Sequence, residues 1–307
     1  MQVTSMCKIA VVGVGNLGSC IAYEIANRGL AKQLILIDVI RDLAEGNAAD
    51  IAQAIAFKSN AEVFAGDYSD LKDADVVVVA AGKPRTPEMK SRLELLQVNK
   101  KIIVDVAQNL KAVESEPVII TLTNPVDVMN YILWKCSGFS CERVIGSAGM
   151  LDSARFRHVL SKKYAVPVLD VEAYVIGEHG DNQVPVFSMA EIRGRKVTFT
   201  EKEKAEIIEG LRMSALKVIS KKGATIYAPA NNTVNMIESI VKNKGELCIC
   251  SAILDGEYGL KDLSIGVPTI LGRGGVKEIL EWNLSENEKK AFYLGAEEIK
   301  KAINSIL

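Results

Sequence analysis

The chain has 307 residues, 49% hydrophobic and 24% charged, a composition ordinary for a globular protein long enough to bury a sizeable core. Its 37 Lys and Arg nearly balance 38 Asp and Glu, so no basic footprint points to nucleic acid. No apolar run approaches the roughly 18 to 20 residues that cross a bilayer, and the opening MQVTSMCK lacks the apolar core of a signal peptide. The expectation is therefore a cytoplasmic chain with neither nucleic acid nor a membrane as partner.

In chain order, the first apolar run, residues 9–12, is long enough for a buried strand. Gly13, Gly15 and Gly18 follow at the spacing G-x-G-x-x-G, with Asn16 and Leu17 between them, and Leu17, Ile21 and Ile25 then recur at helical period. A second apolar run, 34–37, closes on Asp38, twenty residues past the last glycine. Strand, glycine turn, helix, strand and acid in this order form the dinucleotide-binding arrangement. The glycines permit a tight turn and close backbone approach to a pyrophosphate. The helix N-terminus offers unpaired N–H groups and a positive dipole end. Asp38 can accept hydrogen bonds from ribose hydroxyls and would repel the extra phosphate of NADP, so NAD is the expected cofactor.

Further on, the pattern predicts a helix over 43–58, a short run near Val63, and a strand over 76–81 whose uniform apolarity suits burial on both faces. A loop rich in proline and charge, 82–92, precedes a helix over 93–110 and a strand over 118–121 that ends at Thr123-Asn124-Pro125. This β-α alternation predicts an α/β fold with a doubly wound parallel (Rossmann) sheet and ligands outside the carboxyl ends of its strands, where Gly13, residues 81–92 and Asn124 collect. The character changes around 146–151. A helix over 151–164 is followed by short alternating runs at 168–175 and 197–199, helices over 201–222 and 231–241, strand-like runs at 247–254 and 264–271, and a terminal helix from Ser285. Two domains are expected, a dinucleotide-binding domain over 1–146 and an α+β substrate or catalytic domain over 147–307, packed against each other.

Three groups carry chemistry. His179, in Gly177-Glu178-His179-Gly180-Asp181, has room for a ligand at its ring and a pKa suited to proton exchange near neutrality. Asp152 and Arg155, three apart near a helix start, share a face. Taken alone, His179 also fits an ordinary turn residue and the Asp/Arg pair a surface ion pair. The loop from Lys83 to Arg92 places four cations beside the cofactor edge, enough to draw anionic substrates into a cleft. Cys7, Cys20, Cys136, Cys141, Cys248 and Cys250 form no C-x-x-C, and only His158 and His179 could share a metal with them, so reduced thiols and no metal are expected.

These residues sit in motifs that resemble one family nearly end to end. VGVGNLGS, AAGKPR, TNPVD, LDSARF, GEHGD, KGATIYAP and LDGEYGLKDLSIGVP stand in the order found in the L-lactate/malate dehydrogenases, and the chain is most similar to the lactate-dehydrogenase-like malate dehydrogenases. The resemblance implies that His179 exchanges the substrate proton, Asp152 holds its ring, Arg155 grips the substrate carboxylate in a bidentate fork, and Arg92 polarises the reacting carbonyl. It implies Asn124 at substrate and nicotinamide, Asn99 and Thr123 on the cofactor side, Thr225 in the substrate pocket, a cis Asn124-Pro125 bond, and a homodimer or homotetramer. In the family an arginine early in the loop selects malate and a glutamine there suits lactate. Counting forward from Gly82 puts Arg85 at that place, whereas counting back from Arg92 gives Thr86, the loop being one residue longer than the family's with Lys90 the extra residue. Malate and oxaloacetate are the expected substrates, with more pyruvate activity than a strict malate enzyme shows. The alternative is an L-lactate or dual malate/lactate dehydrogenase.

Overall fold

A computed structural model describes residues 7–83, 92–113 and 115–306. The first half lays down β1 (Lys8–Val12), α1 (Asn16–Asn27), β2 (Gln33–Ile37), α2 (Arg41–Ala54), β3 (Glu62–Ala65), β4 (Val76–Val79), α3 (Arg92–Lys111), β5 (Val118–Thr121), α4 (Val126–Ser137) and β6 (Val144–Gly146). The six strands pair in parallel in the order β3-β2-β1-β4-β5-β6. Every residue of β4 and β5 is buried, as continuous apolar runs require when helices cover both faces of a sheet. After β3 the chain crosses back to the far side of β1, so the carboxyl ends of β1 and β4 flank a crevice at the reversal of strand order. The doubly wound sheet expected from the sequence is present.

Helix α4 was not anticipated, and its composition explains why. Nine of its twelve residues are buried, so it has no polar face to produce an amphipathic rhythm. Pro125 caps its start, after a cis Asn124-Pro125 bond, and Gly138 in the left-handed region closes it. Helix α2 sits two residues earlier than its pattern suggested at the start and ends at Ala54.

The second half begins with α5 (Gly149–Tyr164), β7 (Val171–Glu172), β8 (Val175–Gly177), β9 (Gln183–Pro185), β10 (Glu191–Ile192) and β11 (Arg195–Lys196). It continues with α6 (Glu201–Lys222), α7 (Tyr227–Val241), β12 (Glu246–Asp255), β13 (Lys261–Gly272), β14 (Gly275–Ile279) and α8 (Glu286–Asn304). Helices α6 and α8 begin at capping boxes, Thr200 with Glu203 and Ser285 with Glu288, and both starts are readable in the sequence. The run at 168–175 splits between β7 and β8, and 197–199 lies just past β11.

Most strands of the second half join the sheet of the first, and β7, β10 and β11 form a small sheet of their own. The long β12–β13 hairpin runs beside β6, and among the described residues the order continues β6-β12-β13-β8-β9, with β14 on β13, giving one sheet of eleven strands. The junction is the pair Gly146–Ser251, where a Cβ on Gly146 would stand 2.8 Å from that of Ser251. One apolar cluster accordingly spans both halves, from Ile9 and Val78 to Ile265 and Phe292. A smaller one, around Phe156, Phe187 and Phe199, sits under the three-stranded sheet β11-β10-β7. No helix among the described residues is long and apolar enough to cross a membrane.

Candidate active site

The start of α5 is seated directly on β12. Gly149 opens the helix, and a Cβ there would meet the Ile249 side chain at 2.4 Å and its carbonyl oxygen at 2.9 Å, so only glycine allows this approach. The first turn carries Asp152, buried at 4% exposure, and the next turn of the same face carries Arg155. His179 follows the end of β8, where Gly177 takes φ +87° and turns the chain. Its Nδ1 lies 2.6 Å from Asp152 Oδ2, while Arg155 Nη1 donates to Asp152 Oδ1 at 3.0 Å. One carboxylate thus joins the imidazole to the guanidinium. The side chains of Arg155 and Asp152 are 16% and 5% exposed, which removes the reading of a solvated surface pair.

Burial by itself would lower the His179 pKa, but the charge and hydrogen bond of Asp152 and the charge of Asp127 outweigh it and hold the ring above its ordinary value, against a smaller opposing effect of Arg155. With Nδ1 engaged by Asp152, Nε2 is the nitrogen that can exchange a proton with a ligand. Among the described residues Arg155 spends one donor on Asp152, which leaves the rest of its fork for an anion.

The glycine turn lies at the other wall. Gly13 has φ +87° and its N–H donates to Ile37 O at 2.8 Å, and a Cβ there would stand 2.4 Å from Ala81 N. A Cβ on Gly18 would fall 1.8 Å from Gly13 O, so α1 packs against the turn only because that position is bare. Gly15 differs, since a Cβ on it meets nothing within 4 Å: it borders open space at the start of α1, where no side chain caps the helix. Asp38 accepts from Val14 N at 2.8 Å and Ile40 N at 3.0 Å, which holds the carboxylate beside the turn.

A chain of contacts connects the two walls. Thr123 Oγ1 donates to Ala81 O at 2.6 Å, and buried Asn99 donates to Asn124 O at 2.7 Å and accepts from Lys83 N at 2.8 Å. Three residues past Asn124, Asp127 Oδ2 accepts the N–H of His179 at 2.8 Å. The carboxyl ends of β4 and β5 therefore tie the turn at Gly13 to the His179 loop.

Two family models divide the chain between them. Residues 7–146 match the lactate/malate dehydrogenase NAD-binding domain, and residues 149–307 match the lactate/malate dehydrogenase α/β C-terminal domain. The chain belongs to the lactate/malate dehydrogenase family. It is 41% identical to a malate dehydrogenase of Natronomonas pharaonis over 304 residues, 98% of this chain and 100% of the relative. It is 38% identical to an L-lactate dehydrogenase 2 of Bacillus cereus over 309 residues, 98% of each. The crystal structure of the lactate dehydrogenase from Cryptosporidium parvum, in complex with lactic acid and NAD, superposes with a TM-score of 0.92 at 34% identity over 98% of each chain.

The chain is an NAD-dependent 2-hydroxy acid dehydrogenase, and its own residues fit that cofactor. The uncapped start of α1, the open space at Gly15 and the carboxylate of Asp38 suit a pyrophosphate and a ribose. Asn16 and Leu17 form the first residues of α1. Asn124 is exposed at the mouth between the walls. Thr225 lies half-buried in the connector between α6 and α7, with no hydrogen bond to His179, Asp152 or Arg155 among the described residues. Arg85, Thr86 and Lys90 lie outside the described residues, and so does the side chain of Arg92, whose backbone opens α3.

Asp127 and Ser251 also belong to the site and are not among the residues expected from the sequence. The Ser251 hydroxyl donates to Asp127 Oδ1 at 2.5 Å and stands 2.9 Å from Ser264 Oγ, while Asn130 donates to Ser264 Oγ at 3.0 Å. The available signal was an acid inside TNPVD on a stretch otherwise buried, with serine in the middle of two apolar strands.

Proposed function

We propose that the enzyme is a malate dehydrogenase, interconverting (S)-malate and oxaloacetate with NAD. The observation that carries the chemistry is the single Asp152 carboxylate bonded to His179 through one oxygen and to Arg155 through the other. Asp152 fixes the ring and stabilises it when protonated, and His179 Nε2 takes the hydroxyl proton in oxidation and returns it in reduction. Arg155 holds the carboxylate next to the reacting carbon, which sets the hydroxyl against the ring. Arg92 polarises the carbonyl, Asn124 orients it, and Thr225 lines the pocket beyond. When bound, NAD supplies the acceptor for the hydrogen on the alcohol carbon.

Malate is favoured over lactate by charge. A second substrate carboxylate in the cleft needs a cation, and Arg85 provides one, whereas an arginine facing the methyl group of pyruvate would be poorly satisfied. The name of the 41% identical haloarchaeal relative agrees. The longer loop and the 38% identical L-lactate dehydrogenase 2 favour the second reading, a dual malate/lactate enzyme. The test compares kcat/KM for oxaloacetate and pyruvate with NADH in the parent and in Arg85→Gln. Oxaloacetate is expected to win in the parent and to lose its advantage in the variant. A parent that prefers pyruvate, or a ratio unmoved by the substitution, contradicts the assignment. Assembly into a homodimer or homotetramer is part of the same proposal, and sedimentation of the purified chain checks it.

A further inference from the structure

Asp127 is the second residue of α4, 3% exposed, in the first turn after Asn124-Pro125. Both its oxygens are used: Oδ2 accepts the His179 N–H at 2.8 Å and Oδ1 accepts the Ser251 hydroxyl at 2.5 Å. The anchorage continues inward, from Ser251 Oγ to Ser264 Oγ and from Asn130 Nδ2 to Ser264 Oγ and Ser251 O. No Lys or Arg among the described residues pairs with this buried acid. Holding a backbone amide needs only a neutral oxygen, which an asparagine would offer without the cost of burying a charge. The group positioned to gain from the charge is the imidazole of the same residue whose amide Asp127 holds.

We propose that Asp127 is a positioning residue for proton transfer: its carboxylate ties the backbone of His179 to the β12–β13 core and places a second negative charge, beside that of Asp152, where it favours the protonated ring. The proposal rests on the reading of His179 as proton donor and acceptor. Its geometric basis is that the turn presenting Asn124 to the cleft also fastens the loop presenting His179. The charged groups facing His179 are Asp152 and Arg155 from α5 and Asp127 from α4. Those facing Asp127 are His179 and Glu178 at the end of β8, with the Ser251 hydroxyl from β12. Burial pushes the Asp127 carboxyl up to about 6, against the bonds from Ser251 and His179, so it keeps its charge at neutral pH and surrenders it in mild acid.

The test is Asp127→Asn, which preserves the shape and an acceptor oxygen for the His179 amide while removing the charge. The chain has two histidines, and exposed His158 serves as the reference in a ring-nitrogen NMR titration of the full-length protein. The His179 midpoint is expected to fall by about one unit. In parallel, kcat/KM for reduction of the faster of oxaloacetate and pyruvate should fall by about tenfold above both midpoints and by much less on the acid side. An unmoved His179 midpoint, or a loss of the same factor at every pH, overturns the proposal and leaves Asp127 a structural anchor. Should Asp127→Asn not fold, Ser251→Ala carries the test. With one donor gone, Asp127 holds its proton to higher pH, and the His179 midpoint should move down by less; no movement again overturns the proposal. The ring titration is independent of turnover, so normal turnover in His179→Asn would remove the catalytic reading without being mistaken for a result on Asp127.

Discussion

Asp152 bonds His179 through one oxygen and Arg155 through the other, so losing its charge should unsettle both neighbours. In Asp152→Asn the His179 midpoint is expected to drop and turnover to fall by about a hundredfold or more, read from steady-state rates and the same ring titration. The raised pKa of His179 sets the pH dependence. Reduction needs the protonated ring, so kcat/KM for the keto acid declines as pH rises through a midpoint above 6.5, and oxidation of the hydroxy acid gains over the same window. A reduction limb that falls below that value would contradict the electrostatic account. Arg155→Lys replaces a fork with a point charge and should cost about 1.5 to 3 kcal/mol in kcat/KM, mostly through KM. These three residues are visible in the sequence because glycines and acids frame His179 and a helical spacing unites Asp152 with Arg155. Asp127 is not, because an acid in the first turn of a helix is a common way to complement its dipole. Only the folded chain brings it to His179.

At the scale of elements, what positions the chemistry is close packing of helix starts on strands. Gly149→Ala drives a methyl group into Ile249 and should destabilise the fold by about 1 to 3 kcal/mol while displacing Asp152 and Arg155. Gly46→Ala, inside α2 with nothing within 4 Å of the new Cβ, is the control and should raise Tm slightly. Thermal unfolding of the pair checks both signs, and equal Tm values would mean that the α5–β12 approach has slack. The elements were legible where hydrophobic period or capping was strong, as in β1, β4, α6 and α8. Helix α4, buried nearly all round, offered no period to read. The short strands β7 to β11 are too brief for alternation to distinguish them from loop.

At the scale of the whole molecule, strands from both halves join, among the described residues, in one sheet of eleven. The sequence showed a change of character near residue 146 but not that β12 would pair with β6, since a single glycine–serine pairing leaves no local pattern. A continuous sheet and a shared apolar cluster predict cooperative unfolding. The chain's two tryptophans are Trp134 and Trp282, one in each half, so Trp134→Phe and Trp282→Phe variants each report on one half by fluorescence. The two denaturation midpoints should coincide; separate midpoints would show that the halves unfold independently.

The most direct measurement of the central claim is turnover and NADH binding in His179→Asn. With Asp152, Arg155 and the glycine turn untouched, NADH should bind with parental affinity in a fluorescence titration, while oxidation of NADH by the keto acid falls by about a hundredfold to ten-thousandfold. Near-parental turnover in that variant would contradict the account.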